Sequence, residues 1–304
     1  GLNEYTLDLK GLPQRRFAAE AHRSPVNAKN PIPGTAVEIA SPPPRGQVRH
    51  VLFDFDGTIS YVRDGWQDFM VPMMVETLLA CGTGESEEEV LALVKDFVDH
   101  LTGKQTIYQM LRLAEEVQKR GGTPLDPLEY KRRYHERLLP LAADRLEGLK
   151  SGRIPRQDLL VKGALEFLEE LRSRGLRLYL ASGTDIEFVV SEAKALGVDR
   201  FFDGGIFGAL PNYKDFSKEK VIRKILSEFR LGGPELIVVG DGYVEIENAR
   251  EVNAVAFGIF TEEKNRYHMN ADKRDRLLKA GAHLLAPDLT EGKAVMEYLA
   301  SGRD

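Results

Sequence analysis

Residues 51–58 read Val-Leu-Phe-Asp-Phe-Asp-Gly-Thr, an apolar run that closes on two aspartates and a glycine. The run Val51–Phe55 has the length and apolar character of a buried parallel strand. Ligands of open parallel sheets bind outside the carboxyl ends of the strands, so Asp54 and Asp56 lie where chemistry is expected. Two carboxylates this close on an apolar strand are unfavourable unless a cation compensates them.

The glycine after the second aspartate, Gly57, predicts a turn in which backbone N–H groups can approach an anion closely. A calcium-binding loop is one alternative. It fails because the sixth position counted from Asp54 is Ile59 instead of glycine, and the twelfth is Gly65 instead of glutamate. A hairpin turn is a second alternative, but a helical pattern follows the motif where a second alternating strand would be needed.

The composition is that of a globular protein, with 304 residues, 42% hydrophobic and 29% charged. A net charge of -5 gives no basic footprint for nucleic acid. The single cysteine, Cys81, excludes an intramolecular disulfide and fits a reducing compartment. No apolar run approaches the roughly 18 to 20 residues that span a bilayer. We therefore expect a cytoplasmic protein without nucleic-acid or membrane partners, whose oligomeric state the sequence leaves open.

The pattern of the chain changes near residue 48. Residues 1–47 carry seven prolines, which block regular structure and predict an extended arm, either free or packed on the body. Beyond them, short apolar runs alternate with amphipathic helical patterns, which predicts an α/β doubly wound parallel sheet. The predicted strands are Val51–Phe55, Leu176–Ala181, Leu236–Val239, Val255–Ile259 and His283–Leu285.

Between the first two predicted strands the chain shows helical patterns alone. These cover Trp66–Leu79, Glu87–Leu101, Ile107–Lys119 and Pro127–Leu139. A block of this length is too long for a simple crossover and predicts an inserted helical domain. The predicted domains are the proline-rich arm 1–47, a core of residues 48–62 and 157–304, and the helical insert 63–156.

A second strand end carries Ser182, in the segment Leu-Tyr-Leu-Ala-Ser-Gly-Thr-Asp of residues 178–185. A serine hydroxyl followed by a glycine, here Gly183, can donate to a phosphate oxygen without crowding. The same residues are also ordinary turn and helix-capping sequence, so this segment alone does not decide between the two.

A third segment places Lys218 in the first turn of a predicted helix, after Ser217 as a plausible N-cap. Lysine there opposes the helix dipole, which favours a role such as neutralising a bound phosphate. Lys214 and Lys220 are alternatives for that role.

The fourth segment, residues 236–245, reads Leu-Ile-Val-Val-Gly-Asp-Gly-Tyr-Val-Glu. Asp241 follows the apolar strand, and Glu245 comes four residues later. Asp241 can meet Asp54, because both project from the same edge of the sheet. Hard oxygen ligands in this number suit Mg²⁺, which keeps waters and binds phosphate directly. A surface turn is the alternative interpretation.

These four segments, in this order, resemble the haloacid dehalogenase (HAD) superfamily of phosphotransferases. The matching residues are Asp54, Asp56, Gly57, Thr58, Ser182, Lys218, Asp241 and Glu245. The helical insert resembles the C1 cap of that superfamily, and the resemblance implies a Rossmann-like core. Dehalogenase members lack the second aspartate and the metal, so Asp56 favours phosphoryl transfer.

The resemblance implies a role for each matching residue. Asp54 would form an aspartyl-phosphate, and Asp56 would act as general acid and then as general base. Mg²⁺ would be bound by Asp54, Asp56 and Asp241, with Glu245 supporting the site. The phosphate oxygens would be held by Gly57, Thr58, Ser182, Gly183 and Lys218.

The cap is expected to set specificity by closing over the substrate. Its best candidate loop is Thr102–Thr106, where Lys104 and Gln105 could bind an anionic or hydroxylated leaving group; an ordinary helix connection is the alternative. Glu245, where many relatives carry Asp, leaves the subfamily open. We expect a Mg²⁺-dependent phosphatase of a small phosphorylated metabolite, with a phosphotransferase or mutase and a non-catalytic interaction protein as alternatives.

Overall fold

The computed structural model describes residues 30–262 and 269–301. In this part of the chain, seven strands form one sheet in the order β1-β7-β6-β5-β2-β3-β4. The strands are β1 Glu38–Ile39, β2 His50–Phe53, β3 Arg177–Asp185, β4 Gly205–Ala209, β5 Leu236–Gly240, β6 Val255–Ile259 and β7 Leu284–Ala286. Strands β2 to β7 pair in parallel, and β1 pairs antiparallel with β7.

Helices cover both faces of this sheet. Along β2, Val51 and Phe53 pack into one hydrophobic cluster while Leu52 packs into another, as the two-residue side-chain period of a strand requires. The α-helices of the described chain are α1 Gln67–Leu79, α2 Glu87–His100, α3 Thr106–Lys119, α4 Pro127–Lys150, α5 Ala164–Ser173, α6 Ile186–Ala195, α7 Lys218–Phe229, α8 Tyr243–Glu251, α9 Ala271–Lys279 and α10 Gly292–Ser301. The predicted doubly wound α/β fold with an inserted helical domain is confirmed.

The inserted helices α1 to α4 have a hydrophobic core of their own, separate from the two clusters of the sheet. Helix α4 is longer than predicted, because it continues through Pro140 to Lys150. A proline inside a helix removes one backbone hydrogen bond, and Pro140 directly follows the predicted end at Leu139. The buried face formed by Tyr134, Leu138 and Ala142 instead runs past the proline without a break.

Two strands were not predicted. β1 lies in the predicted arm, where Glu38 is buried and pairs with Arg274, so this part of the arm packs on the body. β4 reads Gly-Ile-Phe-Gly-Ala, and its two glycines hid the strand pattern. A Cβ at Gly208 would lie 2.7 Å from the Cα of Ile186, so the close contact with α6 explains that glycine. The rest of the predicted arm, residues 1–29, lies outside the described residues.

In the part of the chain that the structure describes, no helix combines the length and the apolar character needed to cross a bilayer.

Candidate active site

The carboxyl ends of three adjacent strands form the floor of a cavity of about 350 Å³. β2 lies between β3 and β5, with Phe53 level with Leu180 on one side and Val239 on the other. The residues that follow these positions therefore converge at one edge. Asp54, Asp56, Ser182, Lys218 and Asp241 all line the cavity, and the inserted helices close over it.

Lys218 begins α7 and is 5% exposed. Its ammonium nitrogen lies 2.8 Å from Asp54 Oδ1 and also pairs with Glu245 Oε1. Lys220 is exposed and donates to the carbonyl of Lys214. Of the three candidate lysines, Lys218 is therefore the one that lies beside Asp54, at the carboxyl ends of the strands.

Asp54 is buried at the end of β2. Burial raises the pKa of Asp54 to about 6, against the opposing attraction of the Lys218 ammonium. The nearby carboxylates of Asp241 and Asp56 add to the rise. At neutral pH the Asp54 carboxylate is thus mostly charged although it is buried.

Asp56 is held by two hydroxyl groups from β3. Its Oδ2 accepts hydrogen bonds from Ser182 Oγ at 3.0 Å and Thr184 Oγ1 at 2.9 Å. Its Oδ1 is buried and has no hydrogen-bond partner among the described residues. Thr184 was not predicted, although it stands in the same Ser-Gly-Thr segment. Ser182 therefore orients Asp56 as well as lining the cavity.

Asp241, after β5, is bound on both oxygens. Thr58 Oγ1 donates to its Oδ1 at 3.2 Å, and Lys273 Nζ lies 2.7 Å from its Oδ2. Gly57 has a φ of 77°, and a Cβ there would collide with the Asp241 carboxylate. Glycine is needed at this position for both reasons. Lys273 was not predicted, since nothing in its local sequence on α9 marks it.

The backbone N–H groups of the first turn have partners within the turn. Gly57 N–H donates to the Ser60 carbonyl at 2.9 Å, and Thr58 N–H donates to the Phe55 carbonyl at 3.3 Å. In the structure these two amides therefore donate to carbonyls of the turn itself. The resemblance implied instead that Gly57 and Thr58 hold the phosphate oxygens. The predicted partner Gly183 lines the cavity and packs against the carbonyl of Lys104.

A divalent cation fits the chemistry of these residues. Lys218 pairs with Asp54 and Glu245, Lys273 pairs with Asp241, and the fourth carboxyl group, that of Asp56, lies near enough to act on Asp54. With all six groups charged, the cluster has an excess of two negative charges, and its oxygen donors are those that Mg²⁺ prefers. Among the described residues, no three His, Cys, Asp or Glu side chains stand in an arrangement that would already hold a metal ion.

The predicted cap loop divides into two parts. Lys104 is exposed and lines the cavity. Gln105 is buried and points away from it, with Nε2 donating to the carbonyls of Tyr213 at 2.9 Å and Phe216 at 2.7 Å. Those carbonyls lie just before Lys218. Gln105 thus joins the cap to the core. The sequence offered it instead as a residue that could bind the leaving group.

Three further side chains line the cavity from the cap side. Arg63, between the first motif and α1, is buried and donates from Nε and Nη2 to Glu192 Oε1 at 2.9 and 2.7 Å. Burial raises the pKa of Glu192 to about 7, and Arg63 opposes that rise. Gln109 on α3 and Tyr134 on α4 also face the cavity. The helical patterns predicted α3 and α4 but not that Gln109 and Tyr134 turn inward.

Comparison with known proteins gives a family and a fold. A family model for haloacid dehalogenase-like hydrolases matches residues 48–253. A search of curated proteins gave no match. Similar solved structures include a β-phosphoglucomutase from Clostridium difficile, with 14% identity, a TM-score of 0.56 and coverage of 84% of this chain and 99% of that chain.

Two further structures have the same fold. A predicted phosphatase from Clostridium acetobutylicum has 17% identity and a TM-score of 0.54, over 83% of this chain and 100% of that chain. A predicted phosphoglycolate phosphatase from Haemophilus somnus 129PT has 16% identity and a TM-score of 0.52, over 83% and 99%. At these identities the likeness concerns the fold. With the family model spanning most of the sheet and the cap, this chain belongs to the haloacid dehalogenase-like hydrolases.

Proposed function

We propose that this protein is a Mg²⁺-dependent phosphatase, which hydrolyses a small phosphorylated metabolite through an aspartyl-phosphate on Asp54. One observation carries the proposal: the buried Lys218 ammonium lies 2.8 Å from Asp54 Oδ1, at the floor of the cavity. A buried cation beside a desolvated carboxylate can neutralise a phosphate that approaches that carboxylate. Membership of a hydrolase family supports the same reaction class.

In the first step, an oxygen of Asp54 attacks the phosphorus opposite the leaving group. The new bond joins Asp54 to phosphorus, and the bond from phosphorus to the leaving oxygen breaks. Protonated Asp56 gives its proton to the leaving oxygen, which departs as an alcohol. Ser182 and Thr184 fix the Asp56 carboxyl for this transfer, because both hydroxyls donate to its Oδ2.

In the second step, Asp56 takes a proton from a water molecule, whose oxygen attacks the phosphorus. The bond between Asp54 and phosphorus breaks, and the products are inorganic phosphate and a free Asp54 carboxylate. Lys218 offsets the charge on the phosphoryl oxygens in both steps. Asp54, Asp241 and the backbone carbonyl of Asp56, with Glu245 beside them, would hold Mg²⁺, which would reduce the repulsion between the nucleophile and the phosphate.

The test is phosphate release from p-nitrophenyl phosphate. We expect turnover with Mg²⁺, loss of turnover in EDTA and recovery when Mg²⁺ is added back. Asp54→Asn should lower kcat by on the order of 10³-fold or more while circular dichroism stays unchanged. Near-wild-type turnover by Asp54→Asn, or turnover that ignores EDTA, overturns the proposal. Isomerisation of a sugar phosphate without phosphate release would identify a mutase instead.

A further inference from the structure

We infer that the leaving group of the substrate is uncharged and hydroxylated, and that Gln109 and Tyr134 bind its hydroxyl groups. This inference rests on the proposed phosphatase function of the same cavity. It concerns the half of the cavity that the mechanism does not use, where the inserted helices α3 and α4 face the two aspartates.

The first observation concerns the buried side chain of Gln109. It is 4% exposed, lines the cavity and has no hydrogen-bond partner among the described residues. Thr106, three residues earlier on α3, lines the cavity as well, so this face of the helix is the one turned inward. A buried amide without a partner is unfavourable unless a ligand or water supplies one. An amide offers both a donor and an acceptor, which matches a hydroxyl group.

The second observation concerns the buried side chain of Tyr134. It is also 4% exposed, lines the cavity and has no hydrogen-bond partner within the described chain. Burial raises the pKa of Tyr134 above its ordinary value, and the charges of Arg63 and Asp56 both act on it. The hydroxyl therefore stays protonated and lies close to the group that protonates the leaving oxygen. It is placed to donate to an oxygen of the leaving group.

The charges around the cavity argue against a second anionic group on the substrate. Each buried lining cation among the described residues already has a carboxylate partner: Lys218 with Asp54 and Glu245, Lys273 with Asp241, and Arg63 with Glu192. The Asp64 carboxylate also lines the cavity, and the lining cation Arg276 lies 3.9 Å from the carboxylate of Asp99. A second phosphate or carboxylate would have to compete with these carboxylates for the cations, whereas a neutral polyol would not.

The experiment compares substrates and variants by kcat/KM. Wild-type enzyme is assayed with hexose and pentose monophosphates, with phosphoglycolate and a hexose bisphosphate, and with p-nitrophenyl phosphate, whose leaving group has no alcohol hydroxyls. We expect at least one sugar monophosphate to exceed both doubly anionic substrates by tenfold or more. Gln109→Leu and Tyr134→Phe should each lower kcat/KM for that sugar phosphate about tenfold, mainly through KM.

The decisive readout is the ratio of kcat/KM for the sugar phosphate to that for p-nitrophenyl phosphate, which should fall at least fivefold in both variants. Gln118→Leu, on the exposed side of α3, is the matched control and should leave the ratio unchanged. An unchanged ratio in folded Gln109→Leu and Tyr134→Phe overturns the inference, as does a preference for the doubly anionic substrates. Both results leave the phosphatase intact, whereas absence of any phosphate release by the wild type refutes the proposed function itself.

Discussion

The two walls of the cavity hold their polar groups in different ways. We define the core wall as the lining residues Asp54, Asp56, Ser182, Lys218 and Asp241, and the cap wall as the uncharged lining residues Thr106, Gln109 and Tyr134 of helices α3 and α4. On the core wall, buried charges face opposite charges at hydrogen-bond distance. On the cap wall, Gln109 and Tyr134 are neutral and have no partner among the described residues. The paired charges of the core wall suit a reaction that is the same for every phosphate ester. The neutral side chains of the cap wall can still form hydrogen bonds with a ligand, which suits a leaving group that varies between substrates.

A third set of contacts joins the two walls. Gln105 binds two core carbonyls, and Lys131 on α4 pairs with Asp185 at the start of α6. The ring of His135 packs edge-on against Phe188 at 5.6 Å. These contacts decide how the cap wall sits over the core wall, so the comparison can be tested on each wall and at the contacts between them.

The largest effect is expected on the core wall, from Lys218→Met. The variant leaves the Asp54 and Glu245 carboxylates buried without their cation. Removing one partner of a buried ion pair lowers the free energy of unfolding by about 3–5 kcal/mol. We expect that loss in urea denaturation, together with a fall in kcat for p-nitrophenyl phosphate on the order of 10³-fold.

The matched control is Lys220→Met, two residues further along the same helix and exposed. It should stay within about 0.5 kcal/mol of the wild type and keep full activity. Equal effects of the two variants would show that Lys218 contributes no more than a surface lysine, and the distinction between the walls would fail.

A smaller effect, dependent on pH, is expected at the contact between the walls, from His135→Gln. Burial lowers the pKa of His135 from 6.5 to about 4, with the charges of Asp185, Lys131 and Arg63 around it. Between these two values the unfolded chain binds more protons than the folded one, so the free energy of unfolding falls as the pH falls. His135→Gln should remove ~2 kcal/mol of that fall between pH 6.5 and pH 4.

Urea denaturation at several pH values measures this difference. His100→Gln, at the exposed end of α2, serves as control, and its free energy of unfolding should change with pH as that of the wild type does. If His135→Gln shows the same change with pH as the wild type, the pKa of His135 does not differ between the folded and unfolded states as its burial requires.

The core wall could largely be predicted from sequence because all of its residues except Lys218 lie near strand ends. Asp54 and Asp241 each follow an apolar run, and parallel pairing brings such ends together whatever the rest of the chain does. The fold class followed from the same alternation of strands and helices. β4 was not predicted because Gly208 reflects close packing against α6 and Gly205 reflects a φ of 119°, and β-propensity encodes neither.

The cap wall could not be predicted in the same way. A helical pattern shows which residues are buried but not whether a buried polar residue faces a cavity or the hydrophobic core. Gln109 and Gln105 have the same side chain four residues apart, yet one faces the cavity and the other binds core carbonyls. Lys273 meets Asp241 across 32 residues of sequence, a contact that depends on how α9 packs.

A moderate effect is expected from Gln105→Ala, which removes both hydrogen bonds to the segment before Lys218. Because that segment sets where Lys218 begins α7, we expect kcat for p-nitrophenyl phosphate to fall about tenfold with little change in KM. Gln118→Ala, on the exposed side of α3, should have no effect. A change confined to KM, and different for each leaving group, would instead support contact between Gln105 and the substrate.

The smallest effect is expected from Lys104→Ala. Its side chain is exposed at the mouth of the cavity, where water screens its charge. We expect kcat/KM for sugar monophosphates to change by less than about threefold, since an exposed charge contributes ~1 kcal/mol or less. Lys95→Ala, exposed on α2, is the control for a change in net charge alone. A loss of tenfold or more, found with doubly anionic substrates and absent in Lys95→Ala, would mean that the cap recognises charge. The contrast between a charged core wall and a neutral cap wall would then no longer describe how this enzyme selects its substrate.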